Sequence, residues 1–203
     1  MGETRKKQHH WKILFISVIS LNVLVLISIG ALILWPVPSQ ELPQKEFIEE
    51  EEGAEFTIHS SKNNLSELVN GYVDKLMKDD SDKYSVQFDE DVQLNGVVEA
   101  FDAEIPITIR LEPIVQENGD LILNQKEISL GLLHLPNKKV LKYLDNHLPT
   151  PEWVVINPDE ENIYVAVTQM DIKSNFKVRI QQFDLANDQI SFRIKVPNDT
   201  LGL

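Results

Sequence analysis

The chain has 203 residues with no cysteine, and its 32 acidic residues outnumber 19 basic ones to give a formal charge of −13 at pH 7. That length holds an anchor and one medium domain of ordinary core size, not two domains. The missing cysteines exclude disulfides, thiol nucleophiles and thiolate metal sites, and the acidity excludes binding of nucleic acid through bulk charge.

Residues 1–12 are a short basic tail carrying Arg5, Lys6, Lys7 and Lys12, and residues 13–35 form an uncharged apolar run interrupted by Ser17, Ser20, Asn22 and Ser28. A helix needs ~20 such residues to cross a hydrocarbon core about 30 Å thick, so the run reads as a transmembrane anchor. Trp11 and Trp35 stand where interfacial aromatics belong. Basic residues before the run and acidic ones after it put the tail in the cytoplasm and the remainder outside, at the cell membrane. A cleaved signal is the rival reading, but its apolar core is typically ~7–15 residues and this run is longer. The first 35 residues carry those four cations against Glu3, or +3, so the rest carries −16.

Residues 36–55 alternate prolines with polar residues and include Glu49 to Glu52, the composition of an extended spacer. The exported domain is expected over 56–203. Leu65, Leu68, Val69, Tyr72, Val73, Leu76 and Met77 recur at helical spacing, with Ser61, Asn63 or Asn64 as the cap, Gly71 inside the helix beside a close strand, and Asp79 to Asp82 ending it. From Tyr84 the period changes to two. Val86, Phe88, Val92 and Leu94 alternate, a phase change after Gly96 suggests a bulge, and Ile105, Ile107, Ile109 and Leu111 make a strand that Pro106 marks as an edge or irregularity. Asn118-Gly119 predicts a hairpin turn between Ile114/Val115 and Leu121/Leu123, and Ile128, Leu130 and Leu132 continue the alternation.

A second helix is expected over Asn137 to His147, with Val140, Leu141 and Leu144 on one face and Pro149 and Pro151 beyond its end. Trp153 to Ile156 is a short apolar segment, followed by strands at Ile163 to Gln169, Phe176 to Gln182 and Ile190 to Val196. The predicted class is α+β, with a strongly curved antiparallel sheet wrapped around two amphipathic helices. Hairpin-linked strands without crossover helices exclude a doubly wound sheet.

No nucleophile elbow, phosphate loop, zinc-binding H-E-x-x-H or dinucleotide fingerprint occurs, so no catalytic residue, metal or cofactor is assigned and the protein is expected not to be an enzyme. His59, His134 and His147 receive no chemical role, and Asp89-Glu90-Asp91 and Asp159-Glu160-Glu161 read as solvated turns. What remains is apolar surface. Leu68, Tyr72, Leu76, Leu141, Leu144, Trp153, Val165, Val167 and Val178 would line a groove for an acyl chain if the curved sheet does not close tightly, and an ordinary core if it does.

Gly131-Leu132-Leu133-His134-Leu135-Pro136 ahead of a helix, then Leu148-Pro149-Thr150-Pro151-Glu152-Trp153-Val154, then Phe183-Asp184-Leu185 and Asp188-Gln189-Ile190-Ser191-Phe192, resemble the YpmS family. The resemblance covers nearly the whole chain and implies a single-pass membrane protein of a Gram-positive bacterium; the family supplies no catalytic residues to carry over. More distantly, a helix wrapped by long antiparallel strands is similar to the tubular lipid-binding superfamily, an analogy of fold. Two functions follow as expectations. The first is a membrane-anchored envelope protein binding or transferring a lipid or amphiphile. The second is a structural or regulatory domain docking on another envelope protein.

Overall fold

The computed structural model describes residues 15–28, 53–78, 83–100, 103–130, 136–170, 172 and 175–198. The chain divides into two units, Met1–Val37 and Pro38–Leu203. In the first, residues 15–28 are helical (α1) and all exposed. Asn22 bonds back to the Val18 carbonyl at 3.1 Å, so its amide is satisfied within the helix. Among the described residues no helix is long and apolar enough to cross a membrane. The tail, the ends of the 13–35 run and residues 36–52 of the spacer lie outside the described residues.

The second unit is α+β, and its strands pair antiparallel throughout the described residues. Its elements are β1 (Gly53–Ser60), α2 (Lys62–Met77), β2 (Ser85–Phe88), β3 (Val92–Ala100), β4 (Ala103–Val115), β5 (Leu121–Leu130), α3 (Asn137–His147), β6 (Val154–Asn157), β7 (Asn162–Val165), β8 (Lys177–Asp184) and β9 (Gln189–Pro197). They form a six-stranded sheet in the order β2-β3-β4-β5-β7-β6 and a three-stranded sheet in the order β1-β9-β8. This corrects the expected single sheet wrapped around two helices. Neither sheet closes into a barrel, and α2 buries only Leu65, so it is not enclosed.

One core serves both sheets: Ile109, Leu111, Leu123 and Ile163 from the larger, Ile180 and Ile190 from the smaller, and Leu141 and Leu144 from α3. The sheets are joined at the β4–β5 turn, where Ile180 N of β8 donates to Gly119 O at 2.8 Å. Glycine is required there twice over. Its φ is +90°, and a Cβ would collide with Arg179 Cβ. The turn is the Asn-Gly hairpin the sequence indicated, closed by Gly119 N to Gln116 O at 2.9 Å.

Three local expectations change. The β3–β4 register runs unbroken through Gly96, and the bulges lie instead at Arg110/Leu111 against β5 and at Ile180/Gln182 in β8. Gly96 is small because Tyr84 lies over it, 2.7 Å from where a Cβ would stand. Gly71 has open space around it, not a close strand. The strand expected over Ile163 to Gln169 ends at Val165, and Val167–Gln169 is a 3-10 turn. Pro106 lies in β4 beyond Leu130, the last β5 residue in register with that strand, where a missing N–H costs least. Asp79 to Asp82, Leu132 and His134 lie outside the described residues.

Candidate functional site

Helix α2 starts where Ser61 accepts from Asn64 N at 3.3 Å, the side-chain cap that leaves one fewer orphan donor in the first turn. Its entry is fixed again by Lys62 N donating to Asp188 Oδ1 of the β8–β9 turn at 2.7 Å. Asn70 then determines how the helix is rolled. Its amide donates to Val86 O and accepts from Val86 N, both at 2.8 Å, so one side chain pairs with the open edge of β2 as another strand would.

With 3.6 residues per turn, Leu68 and Tyr72 lie about 160° around the helix from Asn70, one on each side of the diametrically opposite line. They therefore point away from β2. Leu68 is 71% exposed and Tyr72 37%. The Tyr72 ring lies against Trp153, with centroids 5.6 Å apart at 50°. Trp153 is placed by a turn, Val154 N to Pro151 O at 2.9 Å, and by its own carbonyl accepting from Ala166 N at 2.7 Å. A second apolar exposure occurs on β1, where Phe56 is 55% exposed and Ile58 47%. Period-two alternation puts both on the face shared with Phe192 and Ile194 of β9, their register partners.

The nine residues proposed from sequence therefore separate. Tyr72 and Trp153 meet, with Leu68 one helical turn before Tyr72. Leu141, Leu144 and Val167 are buried in the common core, and Val165 and Val178 are half-buried against it. Leu76 is half-buried on α2. Phe56 and Ile58 are not among those nine. Their period-two spacing was a signal, but one strand's pattern does not tell which of its positions will be covered.

Two buried acids also escaped the sequence reading. Asp91, read as a turn residue in solvent, is 3% exposed and accepts from Arg110 Nε at 3.0 Å and from its terminal nitrogen at 2.9 Å. That hydrogen bond is the chief reason the Arg110 guanidinium is held above its ordinary value, the charge of Asp91 adding to it. Asp120 is fully buried and accepts from Tyr164 Oη at 2.6 Å, Asn118 Nδ2 at 2.8 Å and Thr168 N at 2.9 Å. Burial, and then the bond to Asp120, pushes the Tyr164 phenol above its ordinary value. This hub ties the β4–β5 turn to β7 and the 3-10 turn. His147 stacks on Tyr143, centroids 4.0 Å apart, with Nδ1 2.8 Å from the Tyr143 carbonyl at the end of α3, which accounts for it without chemistry.

Residues 9–196 match a family described as "Uncharacterized protein conserved in bacteria (DUF2140)". The chain belongs to this family. It is also similar to the protein named "Uncharacterized protein YpmS" of Bacillus subtilis (strain 168), 32% identical over 182 residues that make up 90% of this chain and 95% of that one. No solved structure matches it. The family match spans α1 and reaches into β9, so it includes every residue of the exposed apolar surface.

Proposed function

We propose that the protein is anchored in the bacterial cell membrane by one N-terminal span over residues 13–35, with its domain outside the cytoplasm, and that the domain binds or transfers a lipid or amphiphile. The observation carrying this is that large apolar side chains are left open on α2, at Leu68 and Tyr72, and on β1, at Phe56 and Ile58. Their contact with water is unfavourable by about 25 cal/mol per Å² of apolar area, so an acyl chain laid on them lowers the free energy. A Tyr–Trp pair beside a leucine suits an amphiphile, since both rings present an apolar body and a polar tip. The anchor reading rests on the uncharged run over 13–35, of a length that spans a hydrocarbon core, and on the basic residues before it. No reaction, cofactor or nucleic acid belongs to this reading.

The second reading, a domain docking on another envelope protein, is favoured by one observation: Leu141, Leu144 and Val167 pack in the core instead of lining a hollow. Both readings meet one experiment. The full chain is reconstituted into vesicles containing a phospholipid with a photoreactive acyl chain, and the labelled residues are mapped. Labels on Leu68, Tyr72 and Trp153 in addition to 13–35 support acyl binding; labels confined to 13–35 overturn it and leave protein docking. Protease added to intact protoplasts should remove the domain while sparing an N-terminal tag.

A further inference from the structure

An edge strand presents a row of unpaired N–H and C=O groups, and folded proteins blunt it by shortening it, bulging it, placing Lys or Pro on it or covering it. Among the described residues, three of the four sheet ends are treated in this way. The β2 edge takes the Asn70 amide at Val86, β8 is tied to the β4–β5 turn through Ile180 N and Gly119 O, and β6 is four residues long with α3 packed against it. The outer edge of β1 is left open. Among the described residues β1 pairs with β9 alone, its eight residues include no Lys or Pro, and its register runs without a bulge from Gly53↔Pro197 to Ser60↔Ile190. Residues 54–59 are all exposed.

This strand is also complementary to itself. When two antiparallel copies of β1 are related by a two-fold axis normal to the sheet at Thr57, Phe56 faces Ile58 of the second copy, Glu55 faces His59 of the second copy, and Thr57 faces its own equivalent. Opposed side chains share a face, so the two apolar pairs fall on the side of Phe192 and Ile194 and the two Glu–His pairs on the side of Arg193. Glu55 is steadied there by Arg193, whose terminal nitrogen is 3.5 Å from its Oε2. Moving the axis to Phe56 sets Ile58 against Ala54, and moving it to Ile58 sets Phe56 against Ser60, so only the Thr57 register makes both matches. The result is a sheet ordered β8-β9-β1-β1-β9-β8, and both of its ends are the β8 edge already tied to Gly119. Association therefore stops at two.

We propose that β1 is the interface between two copies of this chain, joined antiparallel about Thr57 into one six-stranded sheet. The pairing goes beyond acyl binding. It leaves Leu68, Tyr72 and Trp153 untouched, and it joins Phe56 and Ile58 of both copies into one apolar surface.

The chain has no cysteine, so a single introduced one reports a single register. The full chain carrying Thr57→Cys is reconstituted at low density in phosphatidylglycerol–phosphatidylethanolamine vesicles and oxidised. Opposed Cα atoms lie ~4.5–5.5 Å apart, within the ~4.4–6.8 Å that a disulfide bridges, so a covalent dimer should form. His59→Cys alone should form none, its two copies being four residues or about 14 Å apart along the strand, but should cross-link when mixed with Glu55→Cys. In sedimentation of the cysteine-free chain in detergent, His59→Glu opposes two acids twice over and should weaken association roughly five-fold, while His59→Lys should strengthen it by a similar factor. No cross-link at 57, equal cross-linking at 57 and 59, or association unmoved by His59→Glu would overturn the pairing, whether or not an acyl probe labels Leu68, Tyr72 and Trp153.

Discussion

Helices α2 and α3 are both amphipathic by sequence, yet α3 buries Val140, Leu141 and Leu144 while α2 buries Leu65 and leaves Leu68 and Tyr72 in solvent. Their fastenings differ in kind. Helix α3 begins at Pro136 with no side-chain cap and is held by the apolar face it buries. Helix α2 is held largely by polar groups: the Ser61 cap, the Asp188 carboxylate on its first turn, and the Asn70 amide on β2. Apolar spacing thus identifies which face of a helix is oily, but the polar side chains on the remaining faces decide whether that face meets the core.

The largest expected difference between the helices comes from truncating matched leucines. Leu141→Ala removes a fully buried side chain and should cost about 2–5 kcal/mol in denaturant unfolding, because transfer and cavity terms add. Leu68→Ala should stay within about 0.5 kcal/mol, as for other exposed positions. Comparable losses at the two sites would mean that Leu68 is covered in solution. Asn70→Ala, which strips both partners from Val86, should cost about 1–3 kcal/mol and speed amide exchange along α2 while leaving α3 unchanged; equal acceleration in both helices would show that they open together. Ser61→Ala should cost about 1 kcal/mol, and Pro136→Ser, which supplies the cap α3 lacks, should gain about 0.5 kcal/mol. Opposite signs for these two substitutions are the check.

The alkaline range tests Tyr164, which serves as a control because it lies on neither helix. Its folded phenol is raised above the ordinary 10.0, so its contribution to stability is complete below pH 10. Above that the unfolded chain loses its proton first, and stability falls as pH rises towards the folded value. Tyr164→Phe should flatten this alkaline decline in a series of unfolding curves, with α2 and α3 affected alike. A decline of unchanged slope would assign it to other groups.

Local structure was largely legible in the sequence, since period-two and period-3.6 patterns, Asn118-Gly119 and the Ser61 and Pro136 starts are written in adjacent residues. Pairing between distant strands was not. Nothing local says that β9 runs beside β1, and so two sheets were read as one. The candidate site was half legible for the same reason. Leu68 and Tyr72 were visible as apolar helix positions, but their exposure depends on Asn70 finding Val86, a contact that reads in sequence as one more polar spacer. Asp91 and Asp120 were missed because an acid beside a turn looks solvated until Arg110 or Tyr164 arrives from another strand.

The pairing of β1 with β9 joins Gly53 to Pro197, so the first strand of the domain finds its partner in the last. In a chain made from its N-terminus, β1 emerges early and waits with both edges open until residues 189–197 have left the ribosome and followed it. Through that interval Phe56, Ile58 and two rows of unpaired backbone groups form the kind of surface on which strands from neighbouring chains add. The small sheet is thus complete only once β9 has been made. A chain stopped short of Gln189 keeps β8 bonded to Gly119 but has no strand between it and β1. The nine residues of β9 therefore decide whether β1 and β8 belong to one sheet or to none.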